Sequence, residues 1–263
     1  MRIVRFTPAP DSDLGRDPLF GLLDESGEIS VIAGDPIYSG VTQTGQKAQL
    51  SDVRLLAPVI PRSKVVCVGK NYADHAKEMG GEVPEEPVIF IKPNTTVIGP
   101  GDTIVWPAMS ERVDHEGELA IVIGRLCKDV PKERVNEVIF GYTIANDVTA
   151  RDLQKKDGQW SRAKGFDTFC PLGPWIDTDF IPGKHRIYAS VDGVIKQDAH
   201  LSDMMFNVEA IITFISQVMT LLPGDVILTG TPAGIGPVTE KGSVTVGIEG
   251  LGELTNKVSA RVK

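Results

Sequence analysis

Glycine and proline cut this chain into apolar runs that are too short for most helices and about right for strands. PVIFIKP, ELAIVIG, VIFGYTIAND, HRIYASVDG, GDVILTG and SVTVGIEG are rich in β-branched and aromatic residues and are separated by Gly and Pro, the pattern of short paired strands. KVVCVG, just after Pro61, adds another. The main helix candidate is DMMFNVEAIITFISQVMTLL, where Met204, Val208, Ile211, Ile212, Ile215, Val218 and Met219 recur at helical spacing before Pro223 and Gly224 close it. Phe206 and Phe214 lie outside that face. A helix apolar on more than one side is expected to be buried, with a partner subunit as one possible cover, so a homodimer is expected. The fold class is α+β, mainly β.

Residues 1–60 read as a small N-terminal β domain, with FGLLDESGEISVI as strand, turn and strand around Ser26 and Gly27. The polar stretch SGVTQTGQKAQLSD then leads to the prolines that mark a boundary near Pro61, and residues 61–263 form the larger domain. A formal net charge of −8 argues against nucleic acid or an anionic membrane as a partner. MRIVRFTPAPDSD lacks the apolar core of a signal peptide and no run reaches membrane-spanning length, so a cytoplasmic protein is expected. Cys67, Cys127 and Cys170 show no CxxC spacing and read as buried, reduced thiols.

The chemistry gathers around VDHEGELAIVIGR. In a strand, residues two apart share a face and lie roughly 6.5 to 7 Å apart, so Glu116 and Glu118 point the same way. Ala120, Val122 and Gly124 continue that face, while the bulkier Leu119, Ile121 and Ile123 take the other. Two carboxylates beside an apolar segment need a cation or a shared proton. FGYTIANDVTARDLQ supplies a third acid, Asp147, at the end of a strand whose matching face is Gly141, Thr143 and Ala145. Three carboxylates around a roomy cavity suit Mg2+ or Mn2+, hard cations that prefer oxygen ligands at roughly 2.0 to 2.2 Å.

Other motifs are weaker on their own. DHEGE lacks the second histidine of a HExxH zinc site, because Leu119 stands in its place. TGTPAGIGP has the glycines of a phosphate loop without its Gly-Lys-Ser/Thr, and instead offers Thr231 and backbone N–H groups to a carboxylate. NYADHAKEM has short-helix character, which sets His75 and Glu78 one turn apart on one face, an arrangement suited to acid–base work. Arg151, Gln154 and Lys164 stand out only because they follow Asp147 so closely.

Taken in order, GKNYADHAKEM, IFIKPNT, HEGELAIVIG, IANDVTARDLQ, QWSRAKGFDTFCPLGPW and LLPGDVILTGTPAGIGP resemble the fumarylacetoacetate hydrolase family in its short bacterial form. The resemblance spans roughly residues 60 to 260. It implies a mixed β-roll, a Mg2+ or Mn2+ ion on Glu116, Glu118 and Asp147, a lid helix with a His75–Glu78 dyad, a catalytic Lys164, and substrate contacts from Arg151, Gln154 and Thr231. The full-length enzymes add an aspartate ligand upstream, and the GKNY region has no acid there, which weakens the case for fumarylacetoacetate itself.

The substrates so implied are 2-oxo diacids and their enols, handled through a metal-bound pyruvate enolate. Three reactions share that species: hydrolysis of acylpyruvates such as fumarylpyruvate, decarboxylation of oxaloacetate, and isomerisation of 2-hydroxyhepta-2,4-diene-1,7-dioate in aromatic catabolism. The first two are the leading expectation, the isomerase or decarboxylase of dienedioates the alternative. A non-catalytic, metal-stabilised binding module is a third. The segment GGEVPEEP, which follows the dyad, is expected to order only when substrate binds.

Overall fold

The computed structural model describes residues 1–78, 80 and 83–261. Among these residues the strands form three sheets. The largest runs from the N-terminal strands through Arg2–Thr7, Cys170–Asp177, Ile139–Asn146, Gly117–Ile123, Val226–Leu228 and Val65–Gly69 to Val88–Lys92. It mixes antiparallel pairs with a parallel pair, Val226–Leu228 beside Val65–Gly69. A five-stranded sheet containing Arg186–Val191 and Ser243–Ile248 faces it, and three short strands flank the site. The mainly β character is what the punctuated sequence leads one to expect, and the mixed roll is what the family resemblance implies.

The central strand Gly117–Ile123 is buried on both sides. Leu119, Ile121 and Ile123 pack with Ile187, Val246 and Ile248 of the second sheet and with Ile211, Ile212 and Ile215 of the long helix. Ala120 and Val122, on the carboxylate-bearing side, pack with Ala145, Cys67 and Cys170. The alternation read from the sequence is therefore the alternation in space. All three cysteines are free and buried, and burial pushes the Cys170 thiol up to about 12, so it is an inert core group at neutral pH.

Two elements differ from expectation. The long helix spans Val208–Val218, not 203–222, because the Asn207 side chain accepts the N–H of Ala210 at 3.0 Å and caps it there. Met204 lies ahead of it, bridged to Tyr72, and Val218, expected on the buried face, is 54% exposed. The polar stretch after residue 39 holds a strand, Gln43–Gln49, at the end of the large sheet. Its side chains are almost all exposed, so it carries no alternation to read, and the polar side chains suit an unpaired edge. The N-terminal strands have their own cluster of Val4, Phe6, Leu23, Ile29 and Val31, yet Arg2–Thr7 pairs with Cys170–Asp177 and makes the sheet continuous. No helix among the described residues is long and apolar enough to cross a membrane.

Candidate active site

Strand register brings the acids together. Gly117 pairs with Asn146, and Asp147, one residue beyond, donates its N–H to the Glu116 carbonyl at 2.8 Å. The Asn146 side chain returns a bond to the Glu116 N–H at 2.9 Å, locking the point where both strands leave the sheet. Glu116, Glu118 and Asp147 are all buried, and one carboxylate oxygen from each lies within 4.8 Å of the others.

A network of cations keeps most of this charge tolerable. Lys164 Nζ donates to Glu116 Oε2 at 2.8 Å and to Asp147 Oδ2 at 2.6 Å. Lys92, fully buried, donates to Asp147 Oδ1 at 2.5 Å and to the Val148 carbonyl at 3.2 Å. Arg151 donates to Glu116 Oε1 through Nη2, to Asp114 Oδ2 at 2.9 Å and to Gln154 Oε1 at 2.6 Å. Burial alone would raise the Glu116 carboxyl, but Lys164 and Arg151 outweigh it and hold that group well below the usual carboxylate range. The same carboxylates outweigh burial at Lys164 and keep it firmly cationic.

Glu118 is different. Among the described residues it makes no ion pair, and its Oε2 accepts only the N–H of Gly230, at 2.6 Å. Burial, then Asp147 and Glu116, push its carboxyl well above normal. Gly230 has φ +98° and a Cβ there would lie 2.6 Å from that of Asn71, so glycine is required for this N–H to reach Glu118. A buried carboxylate with no basic partner, converging on two others, fits a hard divalent cation: the donors are all oxygen, and neither thiol nor imidazole joins the cluster. His115, beside Glu116, turns Nδ1 toward Gln197 Oε1 at 3.3 Å and is kept neutral by burial.

The cleft over these acids is lined by Val68, Gly69, Lys70, His75, Phe90, Arg151, Gln154, Trp160, Lys164 and Thr231. The structure thus brings every residue singled out in the sequence to one place, Glu78 by way of His75. His75 and Glu78 lie on the short helix Ala73–Glu78, with Nδ1 3.3 Å from Glu78 Oε2 and the imidazole buried. Glu78 also accepts the N–H of Gly234 at 3.2 Å. Within GGEVPEEP, Gly81 and Glu82 lie outside the described residues, as does Met79 of the dyad motif. Thr231 donates to the Gly117 carbonyl at 2.9 Å and accepts from Gln197 Nε2 at 2.7 Å, so its proton is already committed.

Sequence reasoning missed Lys92, Asp114, Gln197 and Asn71. Lys92 left a trace, since a cation ending an apolar strand between Ile91 and Pro93 calls for a buried anion. Gln197 sits in the strand Val194–His200 and ties Gly117, Thr231 and Pro232 together; nothing local distinguishes it. Asn71 joins the start of the dyad helix to the Thr229 and Phe206 carbonyls at 2.7 and 2.9 Å.

Residues 64–259 match the family described as fumarylacetoacetate (FAA) hydrolase, C-terminal, and residues 1–58 match one described as Rv2993c-like, N-terminal. The chain is 55% identical to "Protein Rv2993c" of Mycobacterium tuberculosis over 268 residues, covering 100% of both. It is 46% identical to "Oxaloacetate tautomerase FAHD1, mitochondrial" of Arabidopsis thaliana over 76% of this chain and 93% of that one. Among solved structures it resembles 5-carboxymethyl-2-hydroxymuconate delta-isomerase from Mycobacterium smegmatis, with 49% identity, TM-score 0.90 and coverage of 99% and 100%. It also resembles fumarylpyruvate hydrolase from Pseudomonas aeruginosa in complex with Mn2+ and pyruvate, with 33% identity, TM-score 0.71 and coverage of 75% and 90%. The chain belongs to the fumarylacetoacetate hydrolase family.

Proposed function

We propose that this enzyme moves protons on 2-oxo diacids and their enols, with Mg2+ or Mn2+ held by Glu116, Glu118 and Asp147, and that isomerisation between a 2-hydroxydienoate or enol and its 2-oxo tautomer is its main reaction. The observation that carries the reading is the His75–Glu78 pair in the wall of the same cleft as three converging, buried carboxylates. Relatives about half identical along their full length or most of it are named as an isomerase and a tautomerase.

A divalent ion bound there supplies Lewis acidity to a carboxylate and the neighbouring 2-oxo oxygen. The rest falls to side chains. Lys164 and Arg151 keep Glu116 ionised, and Lys92 with Lys164 fixes both oxygens of Asp147. With Nδ1 turned to Glu78, His75 Nε2 is the nitrogen left to take a proton from one substrate atom and return it to another. Arg151 and Gln154 face the substrate's charged end, and Thr231, its own proton given to Gly117, offers a lone pair to an enol hydroxyl.

The second reading is carbon–carbon hydrolysis of acylpyruvates, or decarboxylation of oxaloacetate, with His75 activating water for the hydrolysis. The likeness to the manganese- and pyruvate-bound fumarylpyruvate hydrolase supports it. We further propose a cytoplasmic homodimer. Proton NMR in D2O, with Mg2+ and a panel of enol-oxaloacetate, a hydroxymuconate-type dienedioate, acetylpyruvate and fumarylpyruvate, tests the choice. Catalysed ketonisation of the enols without cleavage is expected; cleavage of the acylpyruvates with no effect on ketonisation would transfer the assignment to the second reading, and inactivity toward all four would leave a metal-stabilised module.

A further inference from the structure

Four cationic or potentially cationic side chains line the cleft: Lys70, His75, Arg151 and Lys164. Three are engaged, Arg151 with Asp114 and Glu116, Lys164 with Glu116 and Asp147, and His75 with Glu78. The ammonium of Lys70 has no hydrogen bond or ion pair among the described residues. Its backbone is also unusual, with φ at 57°, in the left-handed region that side chains other than glycine rarely occupy. Of the non-glycine residues in that conformation, it is the one that lines the cleft. Strain of this kind persists only where the surroundings impose it. Here the next residue, Asn71, is clamped through its side chain to the Thr229 carbonyl and to both the N–H and the carbonyl of Phe206.

Beside the polar Gln154 and Thr231, part of the remaining wall is apolar. Val68, Phe90 and Trp160 form it, the two rings meeting edge-on with centroids 5.1 Å apart. Gly69 makes room for them: a Cβ there would sit 2.8 Å from Trp160 Cζ3. The cleft therefore offers an inner group of carboxylates with bound-cation chemistry, an apolar stretch and a cation without a partner. Together these surfaces suit a molecule with a chelating 2-oxo acid at one end, a carbon chain, and a second carboxylate.

We propose that Lys70 determines substrate specificity by binding the remote carboxylate of a 2-oxo diacid, so that the enzyme discriminates diacids from monoacids of the same length. This rests on the 2-oxo acid reading of the site. The test uses two compounds that lack the 4-oxo group needed for cleavage and differ only at the far end, 2-oxoadipate and 2-oxohexanoate, and measures their binding by calorimetry with Mn2+ present. The native protein should prefer the diacid by about tenfold, the scale of one hydrogen bond to a charged group. Lys70→Met should bring that ratio to about one while leaving Mn2+ affinity and monoacid binding in place, and Lys70→Arg should keep most of it. A native protein without preference, a ratio that survives in Lys70→Met, or equal loss of both compounds overturns the assignment. If neither compound binds the native protein, the 2-oxo acid reading falls, and the role of Lys70 with it.

Discussion

The ammonium of Lys164 bridges Glu116 and Asp147, 2.8 Å from one carboxylate and 2.6 Å from the other, and leaves Glu118 outside the bridge. The three acids are therefore not equivalent, and the difference can be measured.

In the metal-free protein burial and the two neighbouring acids raise the Glu118 carboxyl well above normal, which favours its protonated form. Cation binding must expel that proton. Affinity for Mg2+ or Mn2+ should accordingly rise with pH and level off once the pH passes the raised value of Glu118. Calorimetry on the rising part of that profile, in two buffers of different ionisation enthalpy, should show proton release on ion binding. Glu118→Gln should abolish the release and weaken binding by more than the roughly tenfold to hundredfold typical of losing an outer partner. Unchanged affinity in this variant removes Glu118 from the metal site.

His75→Ala should leave metal affinity nearly intact, since His75 bonds to Glu78 and to none of the three acids. Its effect belongs to turnover, where losing a general base lowers kcat by roughly 10² to 10⁴. Ketonisation and hydrolysis should both fall, whereas decarboxylation of oxaloacetate, which needs no activated water, should retain relatively more. Equal loss across all substrates would argue that the dyad shapes the cleft and does not move protons.

Lys92→Met leaves Asp147 Oδ1 and the Val148 carbonyl without their buried donor. Breaking a buried pair from one side costs about 3 to 5 kcal/mol, and the second contact of Asp147 to Lys164 should keep the loss near about 3 kcal/mol. Denaturant titration with and without Mg2+ checks this. The midpoint should drop most without the ion, because a bound cation returns positive charge to Asp147. A shift below about 0.5 kcal/mol would mean that water replaces the lysine at no loss.

The helix Val208–Val218 buries Ile211, Ile212 and Ile215 but leaves Val218 exposed, a few residues from half-buried Phe214 and Met219. If this end supports a homodimer, light scattering at micromolar concentration should give twice the monomer mass, and Val218→Lys should shift the equilibrium toward the monomer. A monomeric native protein removes the proposed dimer.

What the sequence made legible was whatever repeats with the period of its own element. Glu116 stands just ahead of the strand Gly117–Ile123 that carries Glu118, two apart in extended chain, and Asp147 joins them because its own strand, Ile139–Asn146, ends beside Gly117. The dyad could be read from the spacing of His75 and Glu78, once a helix was assumed. Lys92, Gln197 and Asp114 escaped for a different reason: each acts through a partner about 35 residues or more away, and a single sequence holds no record of that pairing. The edge strand Gln43–Gln49 escaped because exposure on both faces erases alternation. Helix ends were misplaced where a cap, Asn207, cut across an apolar run that continued past it.

The ladder of ion pairs under the cleft has an implication for the order of events. Lys92, Lys164 and Arg151 pair with Asp147, Glu116 and Asp114, the last also held by the half-exposed Arg112, while the fourth acid, Glu118, has no ion pair among the described residues and is pushed toward its protonated form. At rest these pairs largely cancel one another, and the unpaired ammonium of Lys70 is what the cleft offers a dianion. Exchange of one proton for a divalent ion would add one positive charge at the inner end, which a 2-oxo acid can then answer. Binding should be sequential, cation before substrate, with diacid affinity markedly weaker until the ion is in place.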